Sequence, residues 1–235
     1  MLRTRLRKRL RWRSQHGRRT EMPIVNWRVG LREKLLALTF DDGPSAWTAP
    51  VLDVLRGHGA RATFFVIGEH ADDEAEILRR LLREGSEIGN HTYSHPRLLD
   101  STEDTIRVEL QKANAAIEAA GVEPVRWFRP PYLERDARVD RIAAEVGFDA
   151  IVLSSVFPGD WRKDVSAEEI VADVIANAAP GAIVLLHDGW PRNENEVGSS
   201  REQTLDALIE LVPTLQSKGY ELVTLTELLA ARAAF

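Results

Sequence analysis

The 235-residue chain contains no cysteine. Disulfide bonds, zinc sites built from thiolates and cysteine nucleophiles are therefore all excluded. Any metal ion that this protein binds must be held by histidine and carboxylate side chains. With 44% hydrophobic and 29% charged residues, the composition is that of a folded globular protein rather than a disordered one.

Long hydrophobic runs are also missing. The longest stretch of apolar residues, glycine and proline covers residues 178–186, whereas a membrane-spanning helix needs about 20 residues. The sequence therefore predicts no transmembrane segment.

Acidic residues are absent from the first 20 positions, which carry nine arginine and lysine residues, while the other 215 residues carry a net charge of −14. An acidic body disfavours nucleic acid as a partner, because phosphate recognition needs a basic face.

The basic residues of the first 20 positions are not followed by the apolar segment of a secretory signal, so we expect a cytoplasmic protein. Residues 1–30 are predicted to form a basic, disordered tail; the alternative is weak contact with the inner membrane face. The oligomeric state is not predicted.

Beyond residue 30, short apolar runs alternate with amphipathic helical patterns, which is typical of β/α units around a parallel sheet. The seven predicted strands are Leu35 to Thr39, Ala62 to Ile67, Glu87 to Asn90, Val125 to Phe128, Ala150 to Leu153, Ala182 to Leu186 and Glu221 to Leu225. Seven such units in about 200 residues favour an α/β barrel with one unit missing over an open sheet. We expect a single domain over residues 31–235.

The predicted helices carry apolar residues at the 3.6 period, and their ends carry the expected signals. One stripe consists of Ile106, Leu110, Ala113 and Ile117, and a second of Leu205, Leu208, Ile209, Val212 and Leu215. Ser166 and Glu169 form a capping-box pattern before another helix. Glycine follows four helix ends, at Gly85, Gly121, Gly147 and Gly219.

Polar side chains with useful chemistry gather directly after these strands. They are Asp41, Asp42, His91, His95, Arg129, Asp160 and His187. Active sites of β/α barrels lie at the carboxyl ends of the strands, so we expect these groups to face one another across the barrel mouth.

Two short motifs are candidates for a metal centre. In Asp41-Asp42-Gly43-Pro44, one carboxylate could bind a metal while the other faces water; the alternative is an ordinary solvated turn. His91 and His95 are four residues apart, which brings both imidazoles to one metal if the segment makes a helical turn. Pro96 would limit that helix to a single turn.

His187 ends an apolar strand. From the residues alone it could be a further metal ligand, a proton donor or a hydrogen-bonded structural group.

The set of motifs resembles the polysaccharide deacetylases, carbohydrate esterase family four. The resemblance covers about residues 33–230 and is carried by Thr39 to Pro44, His91 to His95, Phe128-Arg129-Pro130-Pro131-Tyr132, Asp160-Trp161 and Leu185 to Asp188. It implies a distorted, incomplete (β/α)7-type TIM-like barrel with a divalent metal, usually Zn²⁺, with Co²⁺ or Ni²⁺ as alternatives. The implied activity is removal of N-acetyl groups from sugars.

The resemblance also implies roles for individual residues. The metal ligands would be Asp42, His91 and His95, an arrangement that leaves open positions on the metal for water and substrate. Asp41 would be the general base and His187 the general acid. Arg129 would pair with Asp41, and Asp160 with His187. The implied substrate-binding residues are Pro131, Tyr132, Trp161 and Leu185.

Departures from the family pattern fall at the rim of the site. Leu133-Glu134 stands where many members have glycine, and Phe157 stands where many have an acidic residue. Residues 189–201 are predicted to be another loop after a strand and to form part of the floor of the substrate site. We expect a hydrolase acting on N-acetylated amino sugars, in an oligosaccharide or a lipid-linked glycan precursor. The alternatives are a hydrolase of a cyclic ureide or imide, and a catalytically silent carbohydrate-binding relative.

Overall fold

The apolar segments of the sequence form the strands of one parallel sheet. A computed structural model describes residues 23–25, 31–122, 124–192 and 200–232. Its strands, numbered β1 to β8 in chain order, are Ile24–Val25, Leu35–Asp41, Ala62–Val66, Glu87–Asn90, Trp127–Phe128, Ala150–Val152, Ile183–His187 and Glu221–Leu222. The seven strands expected from the sequence are all confirmed.

The strands follow one another around a curled sheet in the order β1-β6-β5-β4-β3-β2-β7, and β8 pairs with the start of β2. Each of these pairings is parallel. The fold is an incomplete (β/α)7-type barrel in a single α/β domain, as the sequence predicts.

The helices cover the outside of this sheet. Helices α1 to α8 are Thr48–Gly57, Gly68–Asp73, Ala75–Arg83, Glu103–Ala119, Ala137–Val146, Ala167–Asn177, Glu202–Ser217 and Leu225–Arg232. The capping box at Ser166 and Glu169 is confirmed at the start of α6. Gly147 ends α5 in the left-handed conformation, with φ of 106°.

Alternation along the strands decides which side chains enter the barrel, because successive residues of a strand point to opposite faces. On β2, Leu36, Leu38 and Phe40 join the large apolar core between sheet and helices, whereas Ala37 joins a smaller apolar cluster with Phe65 and Ile183. The same alternation places Asp41 on the inner face with Ala37, and His187 on the inner face with Ile183.

Three details differ from the sequence expectation. Ile24–Val25 forms strand β1 against β6, so two residues assigned to the tail belong to the sheet; residues 1–22 and 26–30 lie outside the described part, and their assignment stays a prediction. The last predicted strand ends early, because Leu225 begins α8. Ile209 is 56% exposed rather than buried, because Leu208, Val212 and Leu215 lie on the buried face of α7 and Ile209 does not.

In the described ranges, no helix combines the length and the apolar character that crossing a membrane requires.

Candidate active site

The carboxyl ends of the strands surround a cavity of about 300 Å³. Its lining residues are Asp41, Asp42, His91, His95, Tyr132, Leu133, Phe157, Trp161, Leu185, His187, Trp190, Pro191 and Arg201. The prediction that the strand ends bring these groups to one cavity is confirmed for Asp41, Asp42, His91, His95 and His187, whereas Arg129 and Asp160 are fully buried and are not among the described lining residues. The volume is at the lower end for a small-molecule site.

The backbone turns sharply between the two adjacent aspartates. Asp41 ends β2, and Asp42 has φ of 71°, in the left-handed region that non-glycine residues adopt rarely. As a result, the two carboxylates diverge. Oδ1 of Asp41 accepts a hydrogen bond from Nη1 of Arg129 at 2.7 Å, whereas Oδ1 of Asp42 lies 3.3 Å from Nε2 of both His91 and His95.

Two glycines allow this turn to pack against the end of β7. A Cβ atom on Gly43 would overlap the carboxylate of Asp188, and one on Gly189 would overlap the carbonyl of Asp42. Close backbone approach thus requires glycine at both positions.

Asp42, His91 and His95 have the properties of a metal site. One ligand atom from each lies within 4.8 Å of the others, and all three residues are buried. Oδ1 of Asp42 has no hydrogen-bond partner among the described residues, although a buried carboxylate oxygen normally has one. Two imidazoles and one carboxylate form a donor set that Zn²⁺ accepts, so these residues fit a divalent metal ion.

The pKa directions of His95 and Asp42 agree with this assignment, whereas for His91 burial is outweighed by the charges of Asp41 and Asp42, which raise its pKa. Burial lowers the pKa of His95 to about 3, so its imidazole is neutral and can act as a ligand. Burial alone would raise the pKa of Asp42, but the hydrogen bond to His91 and the electrostatic interactions with the surrounding imidazoles outweigh it and hold that pKa below its usual range. Nδ1 of His91 lies 2.7 Å from the carbonyl oxygen of Arg129, a contact that leaves Nε2 directed at the site.

The segment from His91 to His95 is not a helical turn, and that expectation is wrong. Thr92 and His95 have positive φ of 67° and 58°, which no helical turn contains. The imidazoles converge instead because the loop folds back on itself: the amide of His95 donates to Oγ1 of Thr92, and the amide of Thr92 donates to Oδ1 of the buried Asn90.

Glu109 on α4 holds this loop from outside. Its carboxylate accepts hydrogen bonds from the amides of Tyr93 and Ser94, at 2.9 and 2.8 Å, and from the hydroxyl of Ser94 at 2.9 Å. The sequence carries no signal for this role, because an acidic residue on an amphipathic helix usually faces solvent.

Arg129 is fully buried inside the barrel. Besides Asp41, its guanidinium donates to Oγ1 of Thr39 and to the carbonyls of Val152 and Leu153. The predicted pairing with Asp41 is confirmed as a contact of 2.7 Å.

Asp160 is also fully buried and holds His187. Its Oδ1 lies 2.7 Å from Nδ1 of His187, and its Oδ2 accepts from the amide of His187 and from the hydroxyl of Thr204. Burial alone would lower the pKa of His187, but the charge and hydrogen bond of Asp160, assisted by the charges of Asp42 and Asp41, raise it.

The residues predicted to bind substrate lie in different environments. Tyr132 and Trp161 are 39% and 38% exposed at the cavity, and Leu185 is buried beneath it. Pro131 is buried in the turn Pro131–Leu133 and is not among the described residues that line the cavity. Its substrate role stays a prediction.

The rim also contains Leu133, Phe157, Trp190, Pro191 and Arg201. Leu133 and Phe157 lie at the rim, as the sequence predicts. Trp190, Pro191 and Arg201 belong to residues 189–201, and the sequence does not predict them individually, because loop geometry determines which side chains reach the cavity.

The protein-family model for polysaccharide deacetylase matches residues 28–151. The chain belongs to this family.

Named members of the polysaccharide deacetylase family resemble it over most of its length. A chitooligosaccharide deacetylase of Bradyrhizobium sp. (strain ANU 289) is 42% identical over 81% of this chain and 89% of that protein. The structure of the Bc1960 peptidoglycan N-acetylglucosamine deacetylase, in complex with 4-naphthalen-1-yl-N-oxidanyl-benzamide, is 36% identical, with a TM-score of 0.80 over 88% of this chain and 92% of the other. A family-four pseudoenzyme from Bacillus anthracis is 30% identical, with a TM-score of 0.76 over 86% and 68%. The family thus includes active and inactive members.

Replacing Glu109 tests how the histidine loop is held. We expect Glu109→Ala to lower the affinity for Zn²⁺ by roughly tenfold, because losing a supporting hydrogen-bond partner typically weakens metal binding on that scale. Competitive titration with a chelator measures the change. Glu118→Ala, on the exposed face of the same helix, is the control. Equal affinities in both variants would show that the loop does not depend on Glu109.

Proposed function

We propose that this protein is a metal-dependent hydrolase that removes N-acetyl groups from amino sugars, carried by an oligosaccharide or a lipid-linked glycan precursor. The observation that carries the proposal is the separation of two adjacent carboxylates, one facing two histidines and the other paired with a buried arginine. The activities in the names of two similar proteins, on chitooligosaccharide and on peptidoglycan N-acetylglucosamine, support the substrate class.

Asp42, His91 and His95 would hold the metal ion. Zn²⁺ suits this donor set best, with Co²⁺ and Ni²⁺ as alternatives. A divalent ion in such a site polarises a carbonyl group and lowers the pKa of water.

Asp41 acts as the general base in this proposal. Oδ1 of Asp41 accepts a hydrogen bond from Arg129, and Oδ2 of Asp41 lies 3.9 Å from Nε2 of His91, at the edge of the cluster of proposed ligands. Asp41 accepts a proton from the water that attacks the acetamide carbon.

His187 acts as the general acid. It ends β7 directly beside Asp41 in the strand register, so acid and base reach the cavity from neighbouring strands. His187 donates a proton to the departing amine nitrogen, because an amide anion is a very poor leaving group. Asp160 lies behind it and is a positioning residue.

Tyr132, Trp161 and Leu185 enclose the acetyl group in this proposal. All three line the cavity. A pocket of this size rejects larger acyl groups because they do not fit. Tight binding of acetyl cannot be the reason, since one methyl group buries little apolar area.

The residues proposed as metal ligands, base and acid all lie at the site, which argues against a silent relative. The cytoplasmic location and the membrane-surface contact depend on residues 1–22, which lie outside the described part of the chain, and both stay predictions.

Metal removal tests this function directly. We expect the metal-stripped protein to release no acetate from short N-acetylglucosamine oligomers, and added Zn²⁺ or Co²⁺ to restore release. Cyclic ureides and imides serve as comparison substrates. Hydrolysis of those compounds alone, or binding of oligomers with one equivalent of metal and no acetate release, would contradict the proposal.

The pH profile tests the general acid. Because Asp160 raises the pKa of His187, we expect Asp160→Asn to lower that pKa. His187 must be protonated to donate, so activity is lost as pH rises through its pKa, and the alkaline limb of kcat should move to lower pH.

The matched control is Asp164→Asn, which removes an exposed carboxylate from the same loop. We expect its alkaline limb to stay in place. If the alkaline limb of kcat stays in place in Asp160→Asn, either His187 is not the general acid or Asp160 does not raise its pKa.

A further inference from the structure

Two large aromatic side chains lie exposed beside the acid. Phe157 is 45% and Trp161 is 38% exposed, and both line the cavity. Their rings stack with centroids 4.5 Å apart and planes 21° apart. The Trp161 ring lies 5.5 Å from the His187 ring, and the Phe157 ring lies 6.4 Å from it. The pair therefore forms an apolar surface that begins at the acid and continues outward.

This surface is held in a fixed position. Asp160, between the two aromatics in the sequence, is buried and bonded to the amide and ring of His187 and to Thr204. Its carbonyl accepts a hydrogen bond from Nε2 of Gln203 at 3.0 Å. The loop is thus anchored to β7 and α7, so a ligand that covers the aromatics does not have to order them first.

The chemistry of the reaction places the sugar on this side of the cavity. His187 protonates the nitrogen that stays on the sugar, whereas the acetyl carbon faces Asp42 and its histidines. The amine-bearing ring consequently lies on the His187 side of the cavity, beyond the acetyl group that Trp161 encloses. Phe157 is more exposed and farther from His187, so it lies where a second, linked ring would extend.

The guanidinium of Arg162, which follows Trp161 in the sequence, pairs with Asp164 at 2.6 Å, so this arginine offers no unpaired charge to a ligand on the aromatic pair. A pyranose ring with equatorial substituents presents an apolar face of C–H groups, which matches an aromatic surface in shape and polarity.

We propose that Phe157, supported by Trp161, binds the apolar face of a neutral sugar ring linked to the ring that is deacetylated, and thereby makes the enzyme selective for oligosaccharides over single sugars. This inference rests on the proposed function. The competing occupant of the same surface is an acyl chain longer than acetyl.

Phe157→Ala tests the proposal in the metal-loaded, full-length protein. The substrates are the N-acetylglucosamine tetramer and the methyl glycoside of the single sugar. We expect KM for the tetramer to rise about tenfold, the scale of one aromatic contact, with kcat for the tetramer and KM for the single sugar little changed. Phe157→Tyr, which keeps the ring, should restore the tetramer KM.

Ile209→Ala removes an exposed apolar side chain from α7 and is the control for surface substitution. An unchanged tetramer KM in Phe157→Ala, or equal loss for both sugars, would overturn the proposal. A changed preference between acetyl and butyryl substrates with an unchanged tetramer KM would overturn it in favour of the acyl chain.

Failure of the proposed function gives a different result. If the unaltered protein releases acetate from neither sugar, calorimetry compares tetramer binding in the unaltered protein and in Phe157→Ala. If Phe157→Ala binds the tetramer more weakly than the unaltered protein does, the aromatic pair is a sugar-binding surface even though the proposed reaction does not occur. If both proteins bind the tetramer equally, or neither binds it, the inference is overturned.

Discussion

The site depends on one buried cation. Arg129 is fully enclosed in the barrel, where an unpaired charge would be strongly destabilising. Its guanidinium is satisfied by Asp41 and Thr39 on β2 and by the carbonyls of Val152 and Leu153 at the end of β6. Its own carbonyl oxygen contacts Nδ1 of His91. Arg129, which directly follows β5, thus connects Asp41 to His91 and joins three strand ends.

This constraint explains how two identical, adjacent side chains acquire different chemistry. Arg129 holds Asp41 on the inner face of β2, and the left-handed conformation of Asp42 directs the next carboxylate to the histidines. The five non-glycine residues with positive φ in the described ranges are Asp42, Thr92, His95, Tyr132 and Leu133, and all lie in segments at this cavity. Such conformations persist only where surrounding contacts impose them, and here the contacts are those of the site.

The sequence predicts the strands and the groups at their ends, because alternation and periodicity depend on neighbouring residues. The sequence therefore predicts Asp41, Arg129 and His187 at the ends of their strands. The path of the histidine loop could not be predicted, since Glu109 is 14 residues beyond His95 and its hydrogen bonds to Tyr93 and Ser94 depend on how α4 packs. Strand β1, with two residues, is too short to show any period.

The most direct test of the divided roles compares Asp41→Asn with Asp42→Asn. Metal content by mass spectrometry and acetate release from N-acetylglucosamine oligomers are measured on both variants. We predict that Asp41→Asn keeps one equivalent of Zn²⁺ and loses turnover by about two to four orders of magnitude, the contribution of a general base. Asp42→Asn should lose the metal. Loss of metal in Asp41→Asn, or full turnover by that variant, would contradict the account.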